Sequence, residues 1–203
     1  KFPIMFLMAI GAWLCTAAQS PWADVTFNDS LAHSRRQVTT TGMLVLGGWA
    51  VANIATGFVI AGNSSGERKY GWQMDAYWNF VNLGLAGMGY IRALGESRKL
   101  FSLPGNYDAQ NALEKIYAFN LGLDAGYIAA GLYLRERGLN SMNIKTSAQL
   151  RGYGTSIIVQ GGFLMLMDAA MYLLHHRNTV RVRVRLREYL ALDQGREGRL
   201  TPP

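Results

Sequence analysis

Three carboxylates stand where carboxylates are costly. Residues 76–91 carry no charge and are bordered by Asp75, residues 116–134 carry only Asp124, and residues 152–176 carry only Asp168. An ionisable side chain inside an apolar run is expensive to bury and is a functional candidate by default. Amides accompany the acids. On a helix Asp75, Asn79 and Asn82 fall at steps of four and three, forming one stripe with Ala86 and Gly89. Asn120 and Asp124 lie four apart, and Gln160, Leu164 and Asp168 continue at steps of four. The helical rise predicts the three aspartates at staggered depths, ~7, ~15 and ~22 Å from one side of a bilayer. Two chemistries fit: a ladder that passes protons or a small cation, or a set of Asn, Gln and protonated Asp that hydrogen-bonds between helices and ties them together.

Nothing completes an acid, base and nucleophile set, so no residue is assigned as catalytic and the chain is expected not to be an enzyme. There is no G-x-G-x-x-G, Walker loop, H-E-x-x-H or G-x-S-x-G pattern, and Gly154-Thr155-Ser156 lacks the lysine of a phosphate loop. The single cysteine, Cys15, excludes an intrachain disulfide and a thiolate zinc site. His33, His175 and His176 fall outside the spans predicted at about 43–62, 70–91, 116–134 and 153–174 and read as interfacial residues. No metal and no cofactor is expected.

The elements that must position these residues are membrane helices. The chain has 203 residues, 50% hydrophobic and 16% charged, against ~25% charged in ordinary domains. Four segments of about the 20 residues that cross a ~30 Å hydrocarbon core are predicted at about 43–62, 70–91, 116–134 and 153–174. Trp49, Tyr70, Trp72, Tyr90, Tyr133 and Tyr153 lie mostly near their ends, as interfacial aromatics do. The connections are polar and glycine-bearing: 63–66, 103–106 and 135–151. Small residues recur four apart as Gly48, Ala52 and Thr56, as Gly122, Gly126 and Ala130, and around Gly162. That spacing lets helix backbones approach inside lipid, so these glycines are expected to pack the bundle together. The fold class is therefore all-α, a membrane four-helix bundle. Lys1, the apolar run to Leu14 and the small Thr16 and Ala18 add a signal peptide or an N-terminal anchor helix over residues 1–18.

The net charge is +7. Its basic residues sit between the apolar runs, where lysine and arginine meet lipid headgroups, so no nucleic-acid partner is expected. One side of the membrane, with residues 20–42, 92–115 and the tail, holds thirteen basic residues against six on the other. That count argues for the cytoplasm, and a cleaved signal argues for the outside, so orientation stays open. The tail, 177–203, supplies the whole imbalance. Its run Val180 to Arg187 alternates apolar with basic, the period of a strand, although a helix continuing from the fourth span is the alternative. Either form presents Arg181, Arg183, Arg185 and Arg187 to anionic lipid or an acidic partner.

Four stretches carry a family likeness: Gly42 to Ala50, Trp78-Asn79-Phe80-Val81-Asn82-Leu83, Phe119 to Tyr127, and Ile158 through Asp168. Over about residues 28–175 the chain resembles a bacterial family of multi-pass membrane proteins catalogued only as a domain of unknown function. The resemblance implies the four-span layout and a multi-pass place in the bacterial inner membrane, and it implies no activity. The function expected is a non-enzymatic accessory or structural subunit of a membrane protein complex, with lipid and other membrane subunits as partners. The alternative is a small proton- or cation-coupled carrier or channel using the intramembrane aspartates.

Overall fold

The computed structural model describes residues 23–96 and 102–200. The expected signal or anchor segment, 1–18, lies outside the described residues. The described chain is all-α, with four helices and no strand: α1 (Ala23–Gly62), α2 (Gly66–Gly95), α3 (Leu103–Leu139) and α4 (Ile144–Leu200).

Local chemistry sets the ends. Gly66 opens α2 with φ +58°, a left-handed conformation that a side chain would strain. The stretch 103–106, expected as a loop, is instead the first turn of α3. Ser102 Oγ caps it by accepting from the Gly105 N–H at 3.2 Å, and Pro104 lies in the first turn, where its missing N–H costs nothing. The connection expected over 135–151 shrinks to 140–143, because Asn143 Oδ1 accepts from the Thr146 N–H at 3.0 Å and starts α4 early.

The helices outrun the spans predicted for them. α1 has 40 residues and α4 has 57, lengths of ~60 and ~85 Å against a ~30 Å hydrocarbon core. α1 within Thr26–Gly62 and α4 within Ile144–Glu188 are long and apolar enough to cross a membrane. α2 and α3 do not reach the same mean hydropathy, since Asp75, Asn79 and Asn82 on one and Asn120 and Asp124 on the other lower it. The tail is helical and continues α4, because an isolated strand would need an edge to pair with whereas a helix satisfies its own backbone. In helical form the alternating run divides: Val182 is buried, Arg181, Arg183 and Arg187 are exposed, and Arg185 lies 5.0 Å over the Phe27 ring and bonds Glu188 at 3.0 Å.

α1 packs along α2, α3 along α4, and α4 against α2, while α2 and α3 stand apart. The closest approaches are made at glycines. A Cβ on Gly131 would meet Gly154 O at 2.7 Å and Ile158 N at 3.0 Å; one on Gly57 would meet Trp72 O at 2.8 Å. Gly152 sits in the same way against Glu67 and Gly71. The glycines expected to do this do not. Gly48, Gly122, Gly126 and Gly162 have open space where a Cβ would stand, and the first three are on the outer surface. The reason is the stripe each shares: Asp124 turns inward, which carries Gly122 and Gly126 outward on the same helix.

Polarity is inverted relative to a fold in water. Fully or nearly fully buried are Asp75, Asn79, Asn82, Gln110, Asp124, Gln160 and His175, whereas Leu166 is 75% exposed, Ile91 71% and Phe119 67%.

Candidate functional site

The buried polar residues form three clusters stacked along the bundle. The first joins α1, α2 and α4. Trp49 Nε1 donates to Gln160 Oε1 at 3.0 Å, and the Gln160 amide donates in turn to the Asp75 carboxylate. The Trp49 ring stacks on Phe163 at 3.8 Å, which holds the indole in place. Ser156 lies beside Asp75, yet Asp75 Oδ2 and Ser156 Oγ are buried without a partner of ordinary hydrogen-bond geometry. From here the stripe climbs α2: Asn79 Nδ2 donates to the Asp75 carbonyl at 2.8 Å, and Asn82 Nδ2 donates to Asn79 Oδ1 at 3.2 Å.

The second cluster is a pair of carboxyls. Asp124 and Asp168 meet side chain to side chain, with Asn120 bonded to Asp168. The stagger expected between these two narrows from ~7 Å to about three residues of helical rise, ~4.5 Å. Gly138 packs against Leu150 and Arg151, which sets the α3–α4 register. Asp124 lies fourteen residues from Gly138 and Asp168 seventeen from Arg151, a difference below one helical turn. Hydropathy windows begin where polarity changes, so depths counted from them miss the register. The pair, with Asn82 and Asn120, lines a groove of about 520 Å³ between α2 and α3.

The third cluster lies beyond the predicted spans, where α1, α3 and α4 continue together, and sequence reasoning missed it. His175, expected as an interfacial residue, is fully buried. Gln110 Nε2 donates to the His175 carbonyl at 2.9 Å and also to His175 Nδ1 at 2.8 Å. A carbonyl only accepts, so the amide nitrogen faces the histidine and Nδ1 accepts the second bond. The imidazole proton is then on Nε2, which is buried and without a partner. The ring stacks on Tyr117 at 5.3 Å, and Tyr117 is within electrostatic reach of Asp168, which links this cluster to the carboxyl pair.

Arg35 completes it. Its Nη1 donates to Asn106 Oδ1 at 2.7 Å and its Nε to Glu96 at 3.4 Å; the Asn106 amide donates to Asn28. One buried guanidinium thus ties α1 to the end of α2 and the start of α3. Nearby, His176 Nδ1 donates to Glu114 at 2.7 Å, and Asn178 Nδ2 to Ser34 Oγ at 3.2 Å. Burial alone would raise the Glu114 carboxyl, but the hydrogen bonds from His176 and Thr179 and the positive charge of His176 and Arg183 outweigh it and hold it below the ordinary range.

All seven polar candidates, Asp75, Asn79, Asn82, Asn120, Asp124, Gln160 and Asp168, therefore fall in the first two clusters, and the three clusters succeed one another along the bundle as a polar spine from Asp75 to Arg35. The signal that locates the missed members is spacing. Gln110, Tyr117, Asp124, Gly131 and Gly138 are all buried and all seven apart, as are Gly154, Gly161, Asp168, His175 and Val182, the repeat of helices packed in a left-handed pair. Compared with known proteins, residues 45–169 match a family of unknown function, DUF6992. No curated protein and no solved structure matches the chain.

Proposed function

The chain belongs to this DUF6992 family, and we propose that it is a multi-pass integral membrane protein of the bacterial inner membrane that serves as a non-enzymatic accessory subunit of a membrane protein complex. Polar groups gathered inside and large apolar side chains outside are the arrangement that lipid stabilises and water does not. The observation that carries the subunit role is the unused small-residue faces. Gly122, Gly126 and Ala130 are exposed in a row on α3, and Gly48, Ala52 and Thr56 are exposed in a row on α1. In lipid such a row is a place for another helix to approach closely. The polar spine then serves to hold four helices in one arrangement.

The test is to enlarge that face. Gly122→Leu with Gly126→Leu adds side chains into open space, so the purified chain should keep its helicity and thermal midpoint. The proteins that co-purify with the unaltered chain from native membranes should be lost. Retention of the same partners at the same yield would sink the subunit role.

A second reading, a proton- or cation-coupled carrier, is favoured by the succession of buried polar clusters from Asp75 to Arg35. On that reading, proteoliposomes carrying the chain show ion flux that Asp124→Asn abolishes. Absence of flux in the unaltered chain, or undiminished flux in the variant, rejects it.

A further inference from the structure

The groove between α2 and α3 has a built floor and apolar walls. Leu85 and Met88 on α2 and Ile116 and Leu123 on α3 form the walls; Asp124 and Asp168 form the floor. Both carboxyls are more than nine-tenths buried, and no N–H group among the described residues is placed to donate to Asp124 Oδ2; the Asp124 carboxyl faces only the neighbouring Asp168 carboxyl. Two adjacent buried carboxyls repel each other when both are ionised, which costs stability unless a shared proton or a cationic donor offsets it. An occupant that donates N–H bonds and brings positive charge would satisfy both carboxyls in their ionised form. What satisfies the walls must be apolar.

We propose that this groove binds a protonated amine carrying an apolar body, with its ammonium between Asp124 and Asp168 and its chain along Leu85, Met88, Ile116 and Leu123. A bare metal ion fits less well: among the described residues no group of three or more His, Cys, Asp and Glu is placed to hold one, and the apolar walls would contribute nothing. A neutral lipid chain would leave the carboxyls unmatched. The groove volume, about 520 Å³, lies in the range of small-molecule sites, ~300–1,000 Å³. The site does not depend on whether the chain is a subunit or a carrier.

Trp78 lines the groove and reports on it. The full chain, purified in non-ionic detergent, is titrated with octylamine and, separately, with octanol, following tryptophan emission and thermal midpoint. Octylamine should bind saturably and raise the midpoint, and octanol should do neither. Asp124→Asn and Asp168→Asn should each weaken octylamine binding at least tenfold. Asp75→Asn, which lies outside the groove, should leave it unchanged. If the dyad variants fail to fold, Leu85→Trp, at a half-exposed wall position, should abolish binding by filling the groove. Equal effects of octanol and octylamine, equal stabilisation by sodium ion alone, undiminished binding in Asp124→Asn, or the same loss in Asp75→Asn would each overturn the proposal. These readouts concern the isolated chain, so they fail or succeed separately from the search for partner subunits.

Discussion

Gly154→Ala should lower the thermal midpoint of the purified protein by several degrees, and Gly154→Leu should leave no monodisperse protein at all. The added Cβ would stand 2.5 Å from Gly131 O and 2.8 Å from Arg135 N, both backbone atoms of α3. Backbone cannot rotate away as a side chain does, so α3 and α4 would have to part along their length. Overpacking of this kind costs ~1–3 kcal/mol for a small group, and α3–α4 is the most extensive helix pair among the described residues. Its parting would also separate Asp124 from Asp168 and Gln110 from His175. The comparison is Gly122→Ala, where the Cβ meets nothing within 4 Å. There alanine is the better helix former by about 1 kcal/mol, so the isolated chain should be unchanged or slightly more stable. Equal midpoints for Gly154→Ala and Gly122→Ala would show that α3 and α4 do not pack in this register.

The second large effect is expected at Glu96. Its carboxylate faces Arg35, a guanidinium with 2% of its side chain exposed, at 3.4 Å. Burial pulls the Arg35 proton affinity down and Glu96 opposes that pull. Glu96→Ala removes the carboxylate of a buried ion pair while the Arg35 charge stays, a change that costs about 3–5 kcal/mol. Arg35→Met with Glu96→Met removes both charges and puts apolar volume in their place, which is often near neutral. Chemical unfolding of the two proteins in detergent should therefore rank the double variant well above the single one. The opposite ranking, or a Glu96→Ala protein as stable as the unaltered chain, would mean that solvent reaches the pair and screens it.

Much of the spine is legible as residue type. Asp75, Asp124 and Asp168 stand out because each is the lone acid of an apolar stretch, and Asn79, Asn82, Asn120 and Gln160 follow from helical spacing. Arg35, Asn106, Gln110 and His175 are not legible in that way. They belong to segments rich in polar residues, 23–42, 102–115 and 175–188, where one more polar side chain carries no contrast. Only when three helices run together past the apolar zone does burial make them special. The glycines fail for a related reason. Gly122 and Gly126 repeat at four and draw attention, whereas Gly131 and Gly138 repeat at seven with Asp124 and Tyr117, and a core whose letters are Gln, Tyr, Asp and Gly leaves no hydrophobic seam to follow. The tail shows the same limit. Alternation from Val180 to Arg187 is equally a strand face and two helical flanks, and the choice rests on the absence of an edge to pair with.

The sequence by itself determined that this chain is helical, that its apolar stretches are long, and that a few acids and amides lie within them, because composition and local spacing are properties of one segment at a time. Only the tertiary structure decided which of those groups meet. The α3–α4 register brought Asp124 to Asp168, the turn of α3 set Gly122 and Gly126 facing outward, and the gap between α2 and α3 opened the groove beside the two carboxyls. Register and rotation are fixed by how two helix surfaces fit, and that fit depends on pairs of residues far apart in the chain.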